Sequence, residues 1–372
     1  MTEGPFWNMG NGAFRSGEPD GGPDDLQGDA QRAIRDPIEH QVSNHLARID
    51  RMLSFPPSGL QPCAPPSFIA ETRRKRPASR GGRSPARIQT GDGMTTTGPE
   101  ADDSLDDFEH RDITLEGQRK VVHVSGRGPA VIVMAEMPGI SPHVARFSRW
   151  VRDAGFTVYM PSLFGRDGAF PRAEEGRAVM QRACMSAEFR AFAANTSSPV
   201  TRWLRALASL AHGECEGPGV GAIGMCFTGN FALTMMLERA MLAPVLCQPS
   251  LPLGSPGGLE ISPDDAATVR ERLEREDLTV LAYRFEGDRF CTAQRFKAYA
   301  EALGDRFVQR VLPSSAAHPS PPPFFAEVVG GPHSVVTAHL IDAAGEPTLA
   351  ARDEILAFFT RRLRGGAEGT QS

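Results

Sequence analysis

Gly224-Met225-Cys226-Phe227-Thr228-Gly229 joins one apolar run, Val220-Gly-Ala-Ile-Gly-Met, to a second, Asn230-Phe-Ala-Leu-Thr-Met-Met-Leu. The first run reads as a strand and the second as a helix, which puts Cys226 at the tip of a sharp strand-to-helix turn. Such a turn lifts its central side chain above the sheet, and the amides and positive end of the following helix favour a thiolate or a developing oxyanion. Free cysteine is more commonly a small buried hydrophobe, and glycines at turns commonly serve packing, so the turn alone does not define a nucleophile. The residues downstream supply what is missing. Asp288 closes Leu281-Ala-Tyr-Arg-Phe-Glu-Gly-Asp, a strand running into a Gly-Asp turn, and His333 follows Gly330-Gly-Pro in a loop before the last helix. Taken singly, the first is an ordinary turn and the second an ordinary solvated histidine. Taken together they give nucleophile, acid and base in the order that acyl-transfer triads of one large fold class use.

At these residues the chain resembles the dienelactone hydrolase family of α/β-hydrolases, over roughly residues 112 to 363. Four separated segments carry the resemblance: Val133-Met-Ala-Glu136-Met-Pro-Gly139, Pro161-Ser-Leu-Phe-Gly-Arg166, the Cys226 turn, and the Asp288 and His333 segments. The resemblance implies a triad with Cys226 as nucleophile, His333 as base and Asp288 as its orienter. It further implies that Glu136 contacts the resting thiol and helps to deprotonate it when substrate enters. Glu136 ends the apolar run Val131-Ile-Val-Met-Ala, and a carboxylate buried there is costly unless it is paired or functional, although it is equally able to cap or bridge surface groups. The expected chemistry is hydrolysis of a small ester or lactone through a thioester. The backbone amides of Phe227 and Met137 are expected to hold the oxyanion. Arg166 matches an arginine that binds the substrate carboxylate in the family, and Phe164 and Phe227 are candidate apolar walls. The runner-up reading is a catalytically silent scaffold of the same fold used for binding.

Three positions depart from the family pattern. Thr228 stands where the family has glycine. Thr337 stands four residues after His333, where a second carboxylate-binding arginine belongs, so half of a bidentate anion clamp is missing. A Pro-rich insertion from Pro313 to Pro323 precedes the histidine segment, with His318 in it as a weaker rival to His333. Neither a His-Glu-x-x-His pattern nor a paired Cys-x-x-Cys occurs, so no metal or organic cofactor is expected.

The elements that must position these groups follow from hydrophobic pattern. Strands are expected at 131–135, 157–161, 220–225, 245–247, 281–288 and 307–312. Helices are expected after Ser141, after Ser198, near 265–274, through Phe296, Tyr299 and Leu303, and at 350–363. Strand-helix alternation of this kind predicts an α/β-hydrolase fold, a mostly parallel twisted sheet covered by helices on both faces, with active residues at the strands' C-terminal ends. The domain is expected over 111–365, after a largely disordered extension over 1–110 and before a flexible tail over 366–372. Within the extension, Arg73-Arg-Lys-Arg with Arg80, Arg83 and Arg87 reads as a solvated basic tract, and Met94 is a candidate natural start.

The chain has 372 residues and a formal charge of −5, which argues against strong attraction to nucleic acid. With no apolar stretch of 18 residues and no secretion signal, membrane association is not expected. Six scattered cysteines are not a disulfide framework, so a cytoplasmic home is the expectation. Cys184, Cys215, Cys247 and Cys291 have no constellation around them, and Met235, Met236, Leu237, Trp150 and Trp203 read as core.

Overall fold

A computed structural model describes residues 98–189 and 195–365. The expectations placed on the basic tract, on Met94 and on the C-terminal tail therefore lie outside the described residues.

The strands are β1 (Glu109–Leu115), β2 (Gln118–Gly126), β3 (Ala130–Met134), β4 (Thr157–Pro161), β5 (Val220–Met225), β6 (Met241–Cys247), β7 (Val280–Phe285) and β8 (Phe307–Leu312). They form one eight-stranded sheet in the order β1-β2-β4-β3-β5-β6-β7-β8. From β4 to β8 the neighbours are parallel, while β1 and β2 run antiparallel at one edge. Strands β3 to β7 are almost wholly buried apolar runs, the signature of parallel strands covered on both faces.

Helix α1 (Pro142–Asp153) starts as its sequence dictates, with the Ser141 hydroxyl accepting from the Val144 amide and Pro142 at the first helical position. Then come α2 (Ala173–Met185), α3 (Val200–Glu214), the four-residue α4 (Phe231–Thr234), α5 (Pro263–Arg275), α6 (Ala293–Leu303) and α7 (Pro347–Leu363). On one face, Val144, Phe147 and Val151 of α1 and Ile355, Phe358 and Phe359 of α7 pack on Val131, Val133, Ile223, Val245 and Tyr283 of the sheet. Helix α3 covers the other face against β3 and β5.

Three differences from the sequence reading have physical causes. The β1–β2 hairpin was not anticipated: β1 is an exposed edge strand and β2 is buried only over Val122, His123 and Val124, so neither is a continuous apolar run. Residues 98–108, placed with the extension by composition, dock on the domain, burying Leu105 and Phe108, while Arg149 donates to Asp103 and Asp107. The run after Cys226 is not one helix. A 3-10 turn over Cys226–Thr228, the short α4 and a second 3-10 turn over Met235–Leu237 take its place before β6 begins at Met241. Pieces this short sum few peptide dipoles, so the long-helix field expected at Cys226 is absent.

Candidate active site

The sheet order brings the site together. β3 lies between β4 and β5, so the order reverses beside it, and the tips of β3, β5, β6 and β7 form one rim. Met134 is in register with Gly224 and Met225 with Cys247, which sets Glu136, Cys226 and Gln248 just beyond the tips of three adjacent strands. Asp288 follows β7 by three residues, and His333 reaches the same rim from the segment after β8.

Cys226 has φ 53, a left-handed backbone conformation that a β-carbon disfavours and that a sharp elbow requires. Its surroundings hold that geometry. A β-carbon on Gly224 would stand 2.1 Å from the Thr228 carbonyl oxygen, and one on Gly229 would stand 2.5 Å from Pro249 Cα, so only glycine admits the close passage on either side. Thr228 is no defect. Its buried hydroxyl accepts from the Met225 amide at 3.0 Å and donates into the carbonyls of Met134, Ala135 and Met225, tying the elbow to the end of β3. Beneath the turn, Asn230 accepts from the Tyr299 hydroxyl at 2.6 Å and donates to Glu260, a fully buried carboxyl that burial raises to about 7.

His333 and Asp288 meet, with Nδ1 and Oδ2 2.8 Å apart and both side chains buried. The other Asp288 oxygen accepts from the amides of Phe290 and Cys291, each at 2.9 Å, which fixes the carboxylate plane. Burial opposes a charge on the imidazole, but the Asp288 carboxylate and the Cys226 thiol outweigh it and hold the pKa well above the ordinary histidine value. His333 Nε2 is buried, and the Cys226 sulfur is the group that acts on it. The Phe290 ring stands edge-on to the imidazole with centroids 5.7 Å apart.

Glu136 departs from its expected place. It is fully buried, and it accepts from the hydroxyls of Ser334 at 2.5 Å and of Thr337, and from Gln248 Nε2 at 3.3 Å. The hydrogen bond of Cys226 Sγ goes instead to Ser250 Oγ, at 3.4 Å. The expected contact between Glu136 and the thiol is therefore corrected. Three neutral donors converge on the carboxyl. Burial raises the Glu136 pKa; the hydrogen bonds and the His333 charge only partly offset this.

Arg166 is likewise engaged elsewhere. Its guanidinium donates to Asp102 at 2.9 Å and lies 3.7 Å from Glu175, and Asp102 also accepts from Arg172 and the Phe170 amide. It borders a small cleft with Pro138 and Gly139, beside the expected oxyanion residue Met137. Phe164 and Phe227 do meet, centroids 5.7 Å apart, and Phe189 packs edge-on against both. His318 accepts from the Ser320 amide and stays apart from Asp288. Burial pushes the Cys184 thiol up to about 12 and those of Cys247 and Cys291 well above the ordinary value, whereas Cys226 is partly exposed. Among the described residues no three His, Cys, Asp or Glu side chains converge as a metal-ligand set.

Sequence reasoning missed Gln248, Ser250 and Ser334. Their signal was positional: Gln248 and Ser250 are polar residues directly beyond the tip of a buried strand, and Ser334 adjoins the histidine.

This rim, elbow and acid-base pair on a mostly parallel sheet define an α/β-hydrolase fold. The model of the dienelactone hydrolase family matches residues 119–306, and the chain belongs to that family. The matched span contains Glu136, Cys226 and Asp288 and ends before His333. A carboxymethylenebutenolidase of Pseudomonas sp. (strain P51) is 31% identical over 115 residues, 30% of this chain and 46% of the relative, so the chain spans about half the length of that relative. A solved dienelactone hydrolase-like promiscuous phosphotriesterase from metagenomic libraries is similar at 21% identity over 69% of this chain and 98% of its own, with a TM-score of 0.48. A dienelactone hydrolase of Anabaena variabilis ATCC 29413 is similar at 12% identity over 69% of this chain and 100% of its own, with a TM-score of 0.43. No helix of the described residues is long and apolar enough to cross a membrane.

Proposed function

We propose that the protein hydrolyses small esters or lactones through a Cys226-His333-Asp288 triad and a thioester intermediate. The observation that carries this reading is the buried 2.8 Å contact between His333 Nδ1 and Asp288 Oδ2 beside a cysteine held at φ 53 on a strand-to-helix elbow. The Cys226 thiolate attacks the carbonyl carbon, forming the C–S bond while the carbonyl π electrons move to oxygen. The Phe227 and Met137 amides are assigned to that oxyanion. On collapse the C–O bond to the leaving group breaks, and the imidazolium of His333 gives its Nε2 proton to the departing alkoxide. Nε2 then takes a proton from water as water attacks the thioester, and the second collapse releases the acid and restores the thiolate and imidazolium. Asp288, accepting from Nδ1, keeps the ring in the tautomer that leaves Nε2 free for these transfers.

Glu136 is assigned a positioning role. Through Ser334 and Thr337 it anchors the segment that carries His333, and through Gln248 it anchors the end of β6. With Thr337 in place of a cation and Arg166 held by Asp102, the reading requires no carboxylate on the substrate. The Phe164, Phe189 and Phe227 rings suit an apolar acyl or alcohol group.

The test is turnover of a panel of aryl esters and lactones by wild type and Cys226→Ala, with mass-spectrometric trapping of acylated Cys226. Loss of about 10⁴-fold or more in kcat/KM, with acyl adducts on Cys226 alone, is expected. Equal turnover by the two proteins would leave the silent-scaffold reading standing.

A further inference from the structure

We infer that Ser250 is a catalytic residue whose hydroxyl donates a hydrogen bond to the Cys226 sulfur and stabilises it as the thiolate. The inference deepens the reading above, since it concerns the same nucleophile.

The contact is direct: Ser250 Oγ stands 3.4 Å from Cys226 Sγ, within hydrogen-bond reach for sulfur. Two other candidates for charging the thiol are placed elsewhere. Glu136 faces Ser334, Thr337 and Gln248, and the α4 piece after the elbow has only four residues, too few to supply a helix field. His333 acts on the sulfur as its proton carrier through Nε2, with its ring fastened by Asp288. A thiolate in this site therefore has a hydroxyl donor beside it in addition to the imidazole.

The scaffold around Ser250 shows why that donor stays in place. Ser250 is 2% exposed, and its amide donates to the Cys226 carbonyl at 2.9 Å, so backbone and side chain hold the same residue at two points. On its N-terminal side, Gln248 is fixed at φ 37, with its side chain donating to Glu136 and accepting from the Val335 amide at 3.3 Å. Pro249 packs against Gly229. On its C-terminal side, the buried guanidinium of Arg295 donates to the carbonyls of Leu251, Pro252 and Ser255, at 3.0 and 2.9 Å for the last two. A loop clamped at both ends presents the hydroxyl without the entropy cost that a mobile side chain carries.

No proton leaves Ser250 in this role. Its O–H points at sulfur while the sulfur is anionic, slackens when the C–S bond forms and removes that charge, and is regained when the second tetrahedral intermediate expels the thiolate. A hydrogen bond to an ionised group is worth more than one between neutral groups, and the difference appears as a shift in the thiol's titration.

The experiment is the pH dependence of iodoacetamide alkylation at the Cys226 peptide, read by mass spectrometry in the full chain without substrate. Ser250→Ala is expected to raise the midpoint by about one unit, the shift that a tenfold weaker preference for the charged form produces. Ser250→Thr, which keeps the hydroxyl, is expected to hold the wild-type midpoint. Ser250→Gly removes the hydroxyl with different packing and is expected to match Ser250→Ala, so either suffices if the other fails to fold. An unchanged or lowered midpoint in folded Ser250→Ala or Ser250→Gly overturns the inference. Because no ester is present, that result is separate from the fate of the hydrolase reading, which rests on turnover by Cys226→Ala.

Discussion

Asp288 and Glu136 are two buried carboxyl groups at the tips of strands of one sheet, and their partners set them to different work. Asp288 meets one imidazole and two backbone amides, and the imidazole gains a proton readily because the carboxylate is there. Glu136 meets two hydroxyls and one amide group, none able to carry charge, and burial raises its pKa. The comparison teaches that burial alone does not make a carboxyl an acid-base group. A partner able to exchange charge with it does, and where only neutral donors converge the carboxyl becomes a fastening.

The sharpest way to break this comparison is Asp288→Asn. The amide can present a donor toward His333 Nδ1 and so favours the wrong tautomer; kcat/KM on an aryl ester is expected to fall by about 10³- to 10⁴-fold with the fold intact. A loss below about tenfold would show that Asp288 does no more for the imidazole than Glu136 does.

Glu136→Gln is expected to lower kcat/KM by no more than about tenfold, the scale of one or two neutral hydrogen bonds. A loss as large as that of Asp288→Asn would return Glu136 to a role in activating the thiol. The same variant carries a pH signature. A carboxyl whose pKa is raised on folding holds a proton that the unfolded chain releases, so its contribution to stability is complete below the ordinary glutamate pKa and is lost as pH rises through the folded value. Urea unfolding at stepped pH should show wild type losing stability relative to Glu136→Gln as pH rises from the ordinary glutamate range. Parallel curves would mean that Glu136 is charged in the fold.

The smallest effect is expected at Arg166, whose charge is taken up by Asp102 on the surface. Arg166→Ala should change kcat/KM by about twofold or less, equally for a neutral ester and for one bearing a carboxylate. A selective loss on the carboxylate-bearing ester would show that Arg166 leaves Asp102 to bind substrate.

How much of this was legible in the sequence differs from element to element. Strands β3 to β7 could be read because burial on both faces writes itself as an apolar run, and the start of α1 because Ser141-Pro satisfies helix amides locally. The β1–β2 hairpin escaped notice because an edge strand is half exposed. The run after Cys226 misled because Met235 and Met236 are buried whatever their backbone does, so their hydrophobicity reports burial and not helix length.

The sequence by itself determined the order of Cys226, Asp288 and His333 along the chain, and the glycines at 224 and 229 that let the elbow close, because both depend on residue type at fixed chain positions. Tertiary structure decided which partners meet. Ser334 and Thr337 lie 198 and 201 residues from Glu136, and Ser250 lies 24 from Cys226, so only the packing of strand tips brings them into contact. A hydrogen bond forms over a few ångströms of space, a distance that spacing along the chain does not encode.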